Sequence, residues 1–231
     1  MRTMPVVIEF EGVAGCGKTT LCSVLKECLE KKGYRVVHLN EKPLSSYFPG
    51  FSRKHLFRYF QLFSLKSLLN SVRLLFGLKL FGEYKKFIQL YEIEAVYRHF
   101  IKRGSGKRVL VCDQSIIQTI VAFWGYEKEK VFSTREYRAL SKYFSCTIDT
   151  DGFFCDLGIN ENICRIHKRA RNHGRLDLVS DDKRLGEMIS NNYNNLLHII
   201  DLKKKTNKEY YLSMNKSPEK LSMEVIEQLS L

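Results

Sequence analysis

An α/β fold, with a parallel sheet covered by helices on both faces, is the class this sequence predicts, and three observations predict it. Apolar runs of four to seven residues alternate with stretches of helical periodicity, the pattern of strands joined by crossover helices. The first run leads through a glycine-rich turn straight into a helix pattern. A later run, Val109 to Cys112, ends on Asp113, and residues at the carboxyl ends of parallel strands face the ligand crevice of such a sheet. With no internal repeat and no low-complexity linker, the 231 residues suit one domain, 1–231, able to bury most of its apolar surface.

Taken in order, Val6 to Phe10 read as a buried strand, and GVAGCGKTT, Gly12 to Thr20, as the turn that follows. Leu21, Leu25 and Leu29 share one face of a helix that stops at Gly33. Tyr34 to Asn40 is a second strand, broken into a loop by EKPL and SSYFPG. Helical periodicity, interrupted at Gly77 and Gly82, then runs to about Arg103; GSGK turns the chain into the short strand Val109 to Cys112. Gly152 to Leu157 is a fourth strand candidate, followed by NENICRIHKRARNHGRLD. A long helix capped at Ser180, a strand in KEYYLSM and a helix in SPEKLSMEVIEQL complete the chain.

The formal charge of +13 is concentrated. Residues 51–108 hold 13 Lys plus Arg against Glu83, Glu92 and Glu94, a surplus of 10, with 12 Phe and Tyr residues among them. Either helices pack their aromatics inward and solvate their lysines, or the segment offers a surface to a phosphorylated substrate, nucleic acid or an acidic membrane. The seven cysteines are odd in number and include no Cys-x-x-Cys pair, so neither a disulfide framework nor a zinc site is indicated, and most are expected reduced and buried. Cys16, at a helix N-terminus beside a lysine, reads either as an acidified, oxidation-sensitive thiol or as a plain small residue. No secretory signal is expected from MRTMPVVIEF, and LLNSVRLLFGLKLFG, broken by Arg73 and Lys79, is too short to span a bilayer, so a reducing, cytoplasmic setting is expected.

The spacing Gly12, four residues, Gly17, Lys18, Thr19 fits a phosphate-binding loop, whose expected contacts are Gly12, Val13, Ala14, Gly15, Cys16, Gly17, Lys18, Thr19 and Thr20. Glycine lets the backbone come close to phosphate, and the unpaired amides and positive dipole end of the helix favour an anion. Lys18 adds a mobile charge that can reach the β and γ phosphates of a nucleoside triphosphate, and Thr19 would ligate Mg²⁺. An ordinary glycine-rich turn is the alternative. Asp113 can face Lys18 and hold the Mg²⁺ hydration shell, or it can simply cap the next helix. Arg165, Lys168, Arg169, Arg171 and Arg175 crowd into eleven positions, as a flap that brings positive charge over a γ phosphate or as a solvated basic face.

At these residues the chain resembles the thymidylate kinase family of P-loop kinases, thinly over nearly its whole length. FEGVAGCGKTT is similar to that family's Phe-Glu-Gly and phosphate loop, NEKPL falls at its Arg-Glu-Pro loop, VLVCDQS at its strand ending in Asp-Arg, and RIHKRARNHGRLD at its arginine-bearing lid. Tyr193 and SPEKLSMEVI match its closing helices. The resemblance implies a P-loop kinase fold with a five-stranded parallel sheet, a helical acceptor side at about 51–108 and an arginine-rich lid at about 165–178. It implies transfer of the γ phosphate of ATP, with Mg²⁺, to a nucleotide or nucleoside. Lys18, Asp113, Arg165, Arg169 and Arg171 are the catalytic candidates, with Glu41 as the base for a nucleoside hydroxyl, as related deoxynucleoside kinases carry a carboxylate in that loop.

Departures fall on the acceptor side. Ala14 stands where the family has an acidic residue, and Gln114 replaces the arginine expected after Asp113; an amide cannot make arginine's bidentate charged contact to phosphate, so the acceptor is expected to differ from thymidylate. Arg98 could substitute if its helix faces the cleft. Gly15, where an arginine could stand, leaves the lid as the source of catalytic charge, with Arg169 the first choice. Expected partners are an anionic or nucleoside-like small acceptor and a second copy of the chain. The other functional class is a regulatory P-loop ATPase whose basic aromatic helices dock on nucleic acid or an anionic membrane.

Overall fold

A computed structural model of the chain describes residues 5–39, 63–78, 84–103, 106–168 and 176–231. The elements run β1 (Val6–Glu11), α1 (Lys18–Lys31), β2 (Arg35–His38), α2 (Leu65–Gly77), α3 (Tyr84–Arg103), β3 (Arg108–Cys112), α4 (Ile116–Val121), α5 (Thr134–Phe144), β4 (Asp151–Asp156), α6 (Ile159–His167), α7 (Asp182–Lys203), β5 (Lys208–Ser213) and α8 (Pro218–Leu229). The five strands form one sheet in the order β2-β3-β1-β4-β5, and every pairing is parallel. The chain leaves β1 toward one edge and later returns to its other side, so the order reverses around β1. The carboxyl ends of β1 and β3 therefore open the crevice in which such sheets bind ligands.

Alternation along β1 divides the core. Val6, Ile8 and Phe10 face α1 and α8, where Leu21, Leu25 and Leu29 meet Leu221, Val225 and Leu229. Val7 belongs to the opposite layer, with Leu110, Val96, Tyr97, Ile117, Leu196 and Ile199. Leu21, Leu25 and Leu29 are fully buried, each contributing about 1.5–3 kcal/mol of burial. On that same second face stand two glutamates, Glu9 and Glu11, also fully buried. Lys203, at the end of α7, reaches Glu9 Oε2 at 2.6 Å, Glu209 Oε1 at 2.8 Å and Glu11 Oε1 at 3.3 Å. Glu9 is further satisfied by the Tyr97 hydroxyl, the Thr150 hydroxyl and the Ile116 amide. Burial raises all three carboxyls; for Glu9 the Lys203 charge and these hydrogen bonds win and hold it low, whereas Glu11 and Glu209 stay raised.

Helix ends follow local chemistry. Ser64, Ser115 and Ser217 accept from the amides of Ser67, Gln118 and Lys220, and Ser133 with Glu136 forms a capping box. The cap of α4 is thus Ser115 and not Asp113, and α7 is capped by Asp181 one residue beyond the expected Ser180. Of the basic aromatic segment, residues 63–78, 84–103 and 106–108 are described. Inward packing holds for Phe63 and Phe100, which are buried, but fails on α2. That helix turns Ser67, Asn70, Ser71 and Gly77 toward α5, where Asn70 donates to the Lys142 carbonyl, and leaves Leu65 (74% exposed), Leu69, Val72 and Phe76 (50% exposed) outside. Gly77 leaves the room that Ala139 of α5 takes, Asn70 satisfies a terminal carbonyl of α5, and Leu74 is fully buried on the same helix. No helix among the described residues is long and apolar enough to cross a membrane.

Candidate active site

The turn between β1 and α1 is built by backbone conformations that glycine supplies. Gly15 (φ 93°) and Gly17 (φ 98°) are left-handed, and a methyl group on Gly12 would lie 2.6 Å from the Cys155 carbonyl oxygen. Gly17 is the N-cap of α1, and no side chain caps that helix, so its first amides point into the turn. Lys18 folds back over the loop, donating to the carbonyls of Gly12 at 2.7 Å and Val13 at 3.0 Å. The ammonium is thereby held against the loop's own carbonyls.

Across the crevice, the Thr19 hydroxyl donates to Asp113 Oδ2 at 2.7 Å, although 94 residues separate the two. His38, buried at the end of β2, places Nε2 3.8 Å from Asp113 Oδ1. Burial pushes the Asp113 carboxyl up, but the nearby His38 side chain, the hydrogen bond from Thr19 and the Lys18 charge outweigh it and hold the group below the ordinary aspartate range. An ionised carboxylate beside a threonine hydroxyl is a hard oxygen pair suited to Mg²⁺, and no cluster of three or more His, Cys, Asp or Glu side chains that could hold a metal occurs among the described residues. The amide loop, Lys18 and this oxygen pair together fit a magnesium–triphosphate group.

Helix α6 walls the loop from above. Methyl groups on Gly15 and Gly17 would lie 3.2 Å from Ile166 Cγ1 and 3.2 Å from Arg165 Nη1, so the Arg165 guanidinium stands over Gly17. Its Nε pairs with Glu161 Oε1 at 3.2 Å. Among the expected site residues, then, Gly12 to Thr20, Asp113 and Arg165 come together; Glu41, Arg169, Arg171 and Arg175 lie outside the described residues, as do residues 169–175 of the lid segment. Gln114 is exposed. Arg98 turns away from the acceptor role considered for it: it binds Glu94 Oε1 at 2.6 Å, the Cys146 carbonyl at 2.6 Å and Ser67, and stacks over Phe63 at 4.8 Å. A cavity of about 590 Å³ lies between Phe123–Glu127 and Leu178–Met188, lined by Trp124, Tyr126 and Arg184, and none of the loop residues borders it.

No family model matches the chain. A probable thymidylate kinase from Sulfurisphaera tokodaii is 50% identical over 42 residues, which are 18% of this chain and 22% of that relative's length. The structure of deoxyadenosine kinase from M. mycoides, with products dCMP and a flexible dCDP bound, superposes with a TM-score of 0.53 at 12% identity over 97% of this chain and 99% of that one. Thymidylate kinase from Candida albicans superposes with a TM-score of 0.53 at 16% identity over 100% of this chain and 94% of its own. The fold is that of the thymidylate kinase-like P-loop kinases.

Within this kinase-like fold, three side chains at the loop had no part in the expected site. Gln118 of α4 donates to the Gly12 carbonyl at 2.7 Å, sharing that oxygen with Lys18. Its sequence signal is a lone amide in the apolar run IIQTIV, three residues after the cap serine. Asn162, buried on α6, places Oδ1 3.5 Å from where a Gly15 methyl would be. His38 carries no sequence signal beyond a polar residue at the end of an apolar strand.

Proposed function

We propose that this chain is an ATP-dependent phosphotransferase of the thymidylate or deoxyadenosine kinase type, moving the γ-phosphoryl group of ATP to a nucleotide or nucleoside. The observation that carries the reading is the meeting of Thr19 and Asp113 at 2.7 Å beside a lysine-filled glycine loop, which a glycine-rich turn or a helix cap would not require. The loop amides and Lys18 bind and orient the phosphates, while Thr19 and Asp113 would hold Mg²⁺. The ion, when bound, neutralises charge on the phosphate oxygens. Arg165 stands at the loop with a charge to place near the transferring group, and Arg169 and Arg171 follow it in the lid segment about 165–178. Helices within 51–108 form the acceptor side of a single domain.

The reading extends to the acceptor. Gln114 offers no charge, and Arg98 is held by Glu94 and the Cys146 carbonyl, so an acceptor phosphate would lack the arginine contact that the resemblance implies after Asp113. Glu41 supplies the base if the acceptor is a nucleoside hydroxyl. The neighbours' printed names, deoxyadenosine kinase and thymidylate kinase, support a nucleoside-like acceptor. A coupled assay following ADP release across nucleosides, nucleoside monophosphates and phosphorylated sugars tests this. Turnover with at least one nucleoside or nucleotide, abolished by Lys18→Ala, is expected; no acceptor-dependent release would overturn the reading. Thymidylate turning over with a micromolar Michaelis constant would overturn the acceptor argument alone.

A further inference from the structure

All seven cysteines are free, and two of them meet beneath the phosphate loop. The spot toward which a Gly12 side chain would project lies 3.0 Å from Cys16 Sγ and 3.2 Å from Cys155 Cβ, so the loop and β4 deliver their sulfur-bearing side chains to one place. The two residues are 0% and 1% exposed. Lys18 donates to the Cys16 sulfur at 3.5 Å, and the Cys155 thiol donates to the Phe153 carbonyl at 3.7 Å. The neighbouring Cys155 thiol outweighs burial, the lysine charge adds to it, and the Cys16 thiol is brought down to about 6, while burial and the Cys16 sulfur push Cys155 well up. An anionic sulfur beside a protonated one is the pairing that reacts with oxidants and then resolves.

We propose that Cys16 and Cys155 are an oxidisable dithiol whose closure to a disulfide switches the phosphate loop off. Hydrogen peroxide is the oxidant. The Cys16 thiolate attacks one peroxide oxygen; the S–O bond forms, the O–O bond breaks, and the departing hydroxide takes up the proton Cys16 had released, leaving water and a Cys16 sulfenic acid. The Cys155 sulfur then attacks the Cys16 sulfur; the S–S bond forms, the S–O bond breaks, and the hydroxyl leaves with the Cys155 proton as a second water. Two thiols lose two electrons and peroxide gains them. Loss of the Cys16 charge in the first step also removes one of the causes that keep Cys155 protonated. A disulfide fixes its two Cβ atoms about 3.8 Å apart, so any displacement that closure needs is shared between Cys16 and β4. Gly12, already against the Cys155 carbonyl, has no room to yield, and the loop's share of the displacement falls on the amides from Gly15 to Lys18 that form the cradle.

The disulfide stands on the sulfur geometry; its effect on nucleotide rests on the phosphate-loop reading above. The reduced full chain is treated with hydrogen peroxide, free thiols are alkylated, and peptides are mapped by mass, in parallel with binding of a fluorescent ATP analogue. Expected are a Cys16–Cys155 peptide lighter by two hydrogens, reversal by dithiothreitol, and binding weaker by about tenfold or more. Cys155→Ser binds as the reduced protein does and yields no such peptide. Both thiols remaining alkylatable, a disulfide joining Cys16 to Cys22 or to the exposed Cys164, or a Cys16–Cys155 disulfide that leaves binding unchanged would each overturn the proposal. Absence of analogue binding in the reduced protein would overturn the phosphate-loop reading instead, a separate outcome from the peptide map.

Discussion

Replacing Lys203 with methionine removes the cation that three buried carboxyl groups share. Its ammonium lies 2.6 Å from Glu9, 2.8 Å from Glu209 and 3.3 Å from Glu11, and all four side chains are at most 3% exposed. Glu9 keeps its donors from Tyr97, Thr150 and Ile116, whereas the contacts of Glu11 and Glu209 to Lys203 are lost outright. Removing one member of a buried ion pair costs about 3–5 kcal/mol, and protonation of the orphaned carboxyls keeps the loss within that range. For a chain of this length such a loss lowers the melting temperature by roughly 6–20 °C. The pH dependence follows from the shifts. Lys203 is raised well above 10.5, so its own contribution is complete at any pH below that value. Glu9 is held below 4.5 and stabilises above that value, losing the effect as pH falls through its lowered one. Without Lys203 all three carboxyls are raised by burial, a penalty present above 4.5 that fades as pH falls toward it. Urea denaturation near pH 7.5 and near pH 5 should therefore show a deficit that shrinks at about the lower pH. A deficit under about 1 kcal/mol, or one equal at both pH values, would refute the shared-cation account.

Three further outcomes concern the loop. Lys18→Ala should leave the melting temperature close to wild type while phosphoryl transfer falls by at least about a hundredfold; full turnover in a folded variant ends the kinase reading. Asp113→Asn should raise the magnesium concentration required for turnover by roughly tenfold or more, and a titration superimposable on wild type would leave Asp113 a structural partner of Thr19 and His38 only. Among Arg165→Ala, Arg169→Ala and Arg171→Ala, at least one should lower turnover by roughly three to five orders of magnitude with little change in the Michaelis constant for ATP. Arg165→Ala is the variant whose position over Gly17 is on view, and turnover within a few fold of wild type for all three would remove the lid from catalysis.

Sequence alone determined what short-range chemistry determines. The glycine positions at the loop follow from left-handed backbone that other residues resist, and the strand–loop–helix order around them is local. Helix stops and starts were legible where a cap sits beside an apolar period, as at Gly33 and Ser217; α4 and α5 went unread although Ser133 and Glu136 spell a capping box. The placement of Asp113 opposite Thr19 was also legible, because parallel strands aim their carboxyl ends at one crevice. The directions of side chains that meet from distant elements were decided by packing. Lys203 and Glu9 lie 194 residues apart, and nothing near either announces the other. Arg98 points to α5 because a buried Glu94 and the Cys146 carbonyl both bind it, and α2 comes close to α5 at Gly77, where a side chain would meet Ala139. Cys16 and Cys155 sit in separate motifs that read as a loop position and a strand position. A sequence lists neighbours along one dimension, and the close approach of β4 to Gly12 exists only once the sheet has formed.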